Sequence, residues 1–193
     1  MPRTIAIGDI HGCATALATL LRAIQLEPDD TLVTLGDYVD RGPDSAGVLE
    51  QMIAIGRRCR HIALVGNHEE MMVASRTDAT ELKFWLRYGG QQTLDSYGPE
   101  ASFEQVPAEH WRFIGNCRTC WETDRFFFTH ASYEPHLPLD RQERVQGARS
   151  VTGGILPVQM SMMRSAIAPA LSNGVVFVSS SNKTTPNDQR SLL

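Results

Sequence analysis

A chain of 193 residues fits one domain with a sizeable core, since a fold of this size buries roughly 70% of the surface its unfolded chain exposes. With 42% hydrophobic and 21% charged residues and a net charge of −4, it reads as an ordinary globular protein without a basic footprint for nucleic acid or an anionic membrane. It has no apolar run of the ~18 residues a membrane span needs, only a short apolar start, and four cysteines that do not make a secreted disulfide framework, so the expected compartment is the cytoplasm.

In chain order, "TIAIG" (4–8) reads as a buried strand and "CATALATLLRAIQL" (13–26) as a helix. "TLVTLG" (31–36) is a second strand, followed by a helical pattern over 44–58. "HIALVG" (61–66) is a third strand, and "HEEMMVASR" opens a third helix. Alternation of this kind predicts βαβ units and a parallel sheet, whose loops gather at the carboxyl edge where open α/β folds place their sites. Residues 78–116 read as mostly helical, and 118–130 as a hairpin around Asp124 with aromatic strands. After about residue 142 the periodicity weakens, and "SSSNKTTPNDQRSLL" reads as a disordered polar tail.

Three strand ends carry "GDIHG" (8–12), "GDYVDRG" (36–42) and "GNHEE" (66–70). Asp9 and His11 are two residues apart, so in extended geometry both side chains can face one ion. Asp37 opens the second loop and Asn67 the third, and His130 follows the apolar strand "FFFT". Carboxylate, imidazole and amide oxygen form a mixed set suited to Mn, Fe, Zn or Mg. Any one of these residues alone would read as a cap or turn; four strand ends built from ligand types read as a metal site. Glu69 and Glu70 suit a helix N-terminus through its dipole. "CRTC" (117–120) reads as small core cysteines, Met71 and Met72 as core, and His61 and His110 lack ligand-like neighbours.

Together "GDIHG", "GDYVDRG", "GNHE" and the later "HA" resemble the signature of the calcineurin-like metallophosphoesterases. Within that superfamily they resemble the bacterial and phage branch of the serine/threonine protein phosphatases, as do "FWLRYGGQQTLDSYG" and "YEPHLPLDRQ". The resemblance covers residues 1–142. It implies an α/β fold, a β-sandwich flanked by helices, with a dinuclear metal site at the strand ends. It further implies that Asp9 and His11 hold a first ion, that Asp37 bridges both, and that Asn67 and His130 hold the second, with Mn the expected metal. Arg41 would clamp the substrate phosphate, His68 would protonate the leaving oxygen, and Asp40 would orient His68. The implied reaction is phosphomonoester hydrolysis by in-line attack of a metal-bridging hydroxide, on phosphoserine or phosphothreonine in proteins. Symmetrical dinucleoside-polyphosphate hydrolysis is the alternative on the same three loops, and the partners are then a phosphoprotein or a small phosphate ester.

One departure from the family pattern concerns the second ion. The family adds a histidine from a "GHT"-like loop, whereas the six histidines here are 11, 61, 68, 110, 130 and 136, and "VVFVSSSNKTTPN" (175–187) has Ser-Ser-Ser at that place. The second ion then keeps Asp37, Asn67 and His130. Residues 143–178 form a divergent continuation and 179–193 the tail. Three explanations stay open: a shifted reading frame or gene rearrangement, a divergent enzyme in which water, His136 or an Asp fills the gap, and a catalytically impaired phosphate-binding variant.

Overall fold

A computed structural model of the chain describes residues 2–124 and 126–130, and the backbone of 175–178. The elements run β1 (Thr4–Ile7), α1 (Ala14–Ile24), β2 (Thr31–Thr34), α2 (Ser45–Ile55), β3 (Arg60–Ala63), α3 (Asn67–Ala74) and α4 (Ala79–Trp85). They continue with α5 (Gln91–Asp95), α6 (Ala108–Asn116), β4 (Cys120–Glu122), β5 (Phe127–Thr129) and β6 (Val175–Val178). The expected alternation is there, with each strand ending one to three residues before its apolar run because the chain turns into its loops early. The 78–116 stretch is helical in three pieces, broken by a kink at Gly89, whose φ of 109° a helix does not allow. The fold is α/β.

Four parallel strands form one sheet in the order β3-β2-β1-β6, and β4 pairs antiparallel with β5 in a second. The registers Ile5↔Leu32, Ala6↔Val33 and Val33↔Ile62 put like residues on like faces. Strand period then decides the architecture. Ile5, Ile7 and Leu32 face a core built from Leu17 of α1, Leu49 and Met52 of α2, Met72 of α3, Trp85 of α4 and Ile114 of α6. Ala6, Val33, Leu35, Ile62 and Leu64 face the other way, onto Trp121, Phe126 and Phe128 of the hairpin. The two sheets thus pack face to face, with the helices outside the first, and each fully buried aliphatic side chain contributes about 1.5–3 kcal/mol. A backbone link joins them: the Val65 amide donates to Arg118 O (2.8 Å) and the Arg118 amide to Ala63 O (2.9 Å).

Local signals fix the ends of the helices. Asp44 caps α2 by accepting from the Gly47 amide (2.8 Å), and Asp78 caps α4 by accepting from Thr80 (2.7 Å). At the far end of α1, the Arg3 guanidinium donates to the Ile24 and Gln25 carbonyls while its Nε donates to buried Asp30 (3.0 Å). Arg3 holds the Asp30 carboxylate well below its ordinary value, at about 2. The continuation and tail expected at 143–178 and 179–193 lie outside the described residues, save the four of β6, which runs parallel to β1. Among the described residues, no helix is long and apolar enough to cross a membrane.

Candidate active site

The three loops that leave β1, β2 and β3 are bonded to one another before any side chain is considered. The Ile10 and His11 amides donate to Asp37 O (3.0 and 2.8 Å), and the Gly12 amide donates to Tyr38 O (2.8 Å). The third loop joins through Glu69, whose carboxylate is fully buried. Its Oε2 accepts from the Asp37 and Gly66 amides (2.8 and 2.9 Å), and its Oε1 accepts from the Tyr38 and Val39 amides (2.7 and 3.2 Å). Glu69 sits in the first turn of α3 as its dipole would favour, yet its larger effect is to fasten the second loop to the third. The Gly66-x-x-Glu69 spacing of a helix start was the available sequence signal.

This fastening holds a strained backbone. His11, Asp37, Asp40 and Arg41 all have positive φ, at 44°, 50°, 73° and 67°. Left-handed backbone costs a non-glycine residue about 1–2 kcal/mol and is kept only where surrounding contacts over-determine it. The kink at Gly89 supplies one such contact, since its carbonyl accepts from the Arg41 amide (3.2 Å).

The side chains meet in two groups that share Asp37: His11, Asp37 and His68, and Asp9, Asp37 and His130. In each group the ligand atoms lie within 4.8 Å of one another. Asp37 Oδ2 is 3.5 Å from His11 Nε2, and its Oδ1 is 3.4 Å from His130 Nε2. Both imidazoles are oriented from behind. His11 Nδ1 donates to Val39 O (2.9 Å) and His130 Nδ1 donates to Leu35 O (2.8 Å), which turns each Nε2 lone pair inward. His130 Nε2 is also 3.1 Å from Asn67 Oδ1. Acceptor atoms facing one another at these separations suit a divalent cation between them, so the residues fit a metal.

His68, which belongs to the first group through one ring nitrogen, is buried with its Nδ1 2.6 Å from Asp40 Oδ2. The Arg41 guanidinium spans the mouth of the site, donating to His11 Nε2 (2.8 Å) and His68 Nε2 (2.9 Å). Burial pushes the Asp37 and Glu69 carboxyls up, the Asp37 charge adding to the effect on Glu69. Burial also raises Asp40 to about 7, against the hydrogen bonds from Thr93 and Trp85, and lowers His11 and His68 to about 4. Acids held up and bases held down mark a cluster that resists its own charge, and a bound divalent ion would favour the ionised carboxylates while keeping the imidazoles neutral.

A family model described as calcineurin-like phosphoesterase matches residues 2–153. The chain belongs to the calcineurin-like phosphoesterase family. A serine/threonine-protein phosphatase 1 of Salmonella typhimurium is 42% identical over 105 residues, covering 54% of this chain and 42% of that protein. A symmetrical bis(5'-nucleosyl)-tetraphosphatase of Acidovorax sp. is 46% identical over 70 residues, 36% of this chain and 24% of that protein. The chain thus spans less than half the length of either relative. The solved structure of a cold-active protein tyrosine phosphatase shares the fold, with a TM-score of 0.52 at 19% identity over 96% of this chain and 60% of that one.

Every described residue of the phosphoesterase signature lies at this one edge of the sheet. The residues set aside as structural lie elsewhere. His61 Nε2 bonds Thr34 Oγ1 (2.9 Å) beneath the sheet, and His110 Nδ1 bonds the Tyr97 hydroxyl (2.8 Å). Met71, Met72 and Cys117 are buried in the helix-side core. Trp85 and Thr93 were missed. Both are buried and hydrogen-bonded to Asp40, and although they lie in the family-like stretch 84–98, nothing local in the sequence ties either to Asp40.

Proposed function

We propose that this chain is a metal-dependent phosphomonoester hydrolase acting on phosphoserine or phosphothreonine in proteins. The observation that carries the reading is the carboxylate Asp37 shared by two groups of ligand-type side chains, one of which includes His68, with Asp40 behind His68 and Arg41 across the mouth. Asp9 and His11 would hold one ion with Asp37, and Asn67 and His130 the other with the same carboxylate, although the side chains themselves group Asp9 with His130 and His11 with His68. Manganese suits this mixed set, as do iron, zinc and magnesium. When bound, such ions supply Lewis-acid stabilisation of the phosphoryl oxygens and activate water.

The protein's own groups do the rest. Arg41 turns its planar fork of donors from the two imidazoles to the phosphate oxygens. The arriving dianion favours a proton on His68, opposing the desolvation that lowers its pKa. His68 Nε2 then protonates the leaving alkoxide while Asp40 holds the ring through Nδ1, which is worth roughly 10²–10⁴ in rate.

The protein-phosphatase assignment is supported by the longer match, 105 residues against 70. The nucleotide reading is favoured by the higher identity within those 70. Phosphate release from a phosphothreonine peptide and cleavage of diadenosine tetraphosphate, each assayed with Mn²⁺, separate them. Turnover of the peptide is expected; cleavage of the nucleotide alone reverses the assignment, and phosphate binding without turnover of either removes the enzyme reading.

A further inference from the structure

The kinked stretch α4–α5 lies 45 to 53 residues from Asp40 in sequence, yet it reaches the acid that stands behind His68. Trp85 Nε1 donates to Asp40 Oδ2 (2.8 Å) and leans on Oδ1 (3.0 Å). Thr93 Oγ1 donates to Oδ1 (2.7 Å) and accepts from the Asp40 amide (2.8 Å). Ser45 Oγ also accepts from that amide (3.1 Å) and lies 3.0 Å from Thr93 Oγ1. Asp40, Ser45, Trp85 and Thr93 are fully buried, so these are desolvated bonds to a carboxylate, stronger and more directional than surface ones. They fix the rotation of the carboxylate and leave Oδ2 aimed at His68 Nδ1.

We infer that Trp85 and Thr93 are positioning residues for the His68–Asp40 pair, so that α4–α5 governs proton delivery to the leaving group. The inference rests on the proposed role of His68. In that step the ester P–O bond breaks, water oxygen adds to phosphorus, and the Nε2 proton passes to the departing oxygen; the imidazole then regains a proton from water. A poorly aligned ring penalises departure of a basic alkoxide or phenoxide and hardly affects a leaving group that departs unprotonated.

The test compares phenyl phosphate with dinitrophenyl phosphate, alike in shape and opposed in leaving-group basicity. Thr93→Val keeps the side-chain shape and removes the hydroxyl; Trp85→Phe removes the indole N–H. Each is expected to lower kcat on phenyl phosphate about tenfold and on the dinitrophenyl ester less than about twofold, with KM little changed. Thr93→Ser is expected to restore the phenyl phosphate rate. Equal losses on both esters, or none on phenyl phosphate, overturn the inference. A second readout is independent of turnover: the downfield proton resonance of His68 Nδ1–H in the folded, metal-free chain. It is expected to shift or broaden in both variants, and an unchanged signal overturns the inference. If the wild-type chain hydrolyses neither ester, the hydrolase reading fails and the resonance alone decides the positioning role.

Discussion

At the scale of the residue, Glu69 and Arg41 carry the sharpest consequences. Glu69 receives four backbone amides with two oxygens and is fully buried from solvent. Glu69→Gln turns an amide N–H₂ toward two N–H donors, so the variant is expected to lose about 3 kcal/mol in urea unfolding and to bind Mn²⁺ far more weakly. A variant with unchanged stability would show that the loops are held by other means. Arg41 differs in kind, because its side chain is at the mouth and bonds the His11 and His68 imidazoles rather than the backbone that holds the loops together. Arg41→Lys keeps the charge and loses the fork; KM for an aryl phosphate is expected to rise about tenfold with stability unchanged. Equal KM values would leave Arg41 without a part in phosphate binding.

At the scale of the element, the kink between α4 and α5 and the end of α1 make separable predictions. A Cβ on Gly89 would lie 2.5 Å from the Arg41 amide nitrogen, at a φ that other residues rarely adopt. Gly89→Ala is therefore expected to cost about 1–3 kcal/mol and to raise KM by moving Arg41, which denaturation and steady-state kinetics read separately. At the end of α1 the relevant group is Asp30, whose folded pKa is depressed to about 2 by Arg3. A depressed acid stabilises the fold above its unfolded value of about 4 and loses that contribution as pH falls through its folded value. Melting temperature should thus fall between about pH 4 and pH 2 more steeply in the wild type than in Asp30→Asn. Parallel curves would mean that the Arg3–Asp30 contact contributes nothing to the acid limb.

At the scale of the whole molecule, the parallel sheet and its loop cluster were legible in the sequence because two signals coincide there. Apolar runs mark β1, β2 and β3, and each ends in glycine followed by ligand-type side chains, so topology alone brings Asp9, His11, Asp37 and Asn67 to one edge. The hairpin was legible through its aromatic-rich strands, from which Trp121 and Phe128 face the first sheet. Glu69, Trp85 and Thr93 were not legible as site residues for a common reason. Each works through a bond to a residue 30 to 53 positions away, and in sequence a Glu in a first helical turn or a Trp in an apolar helix has an adequate local explanation. The molecule as a whole is then a sheet edge that holds charged loops in strained conformations, with helices on one side and a hairpin on the other to keep them there. That account stands on Asp37 as the carboxylate common to both ion groups. Its direct test is the Mn²⁺ dependence of aryl phosphate hydrolysis by the wild-type chain and by Asp37→Asn. Metal-stimulated turnover that the substitution reduces at least about a hundredfold is the predicted result; metal-independent turnover, or equal rates in the two proteins, would contradict it.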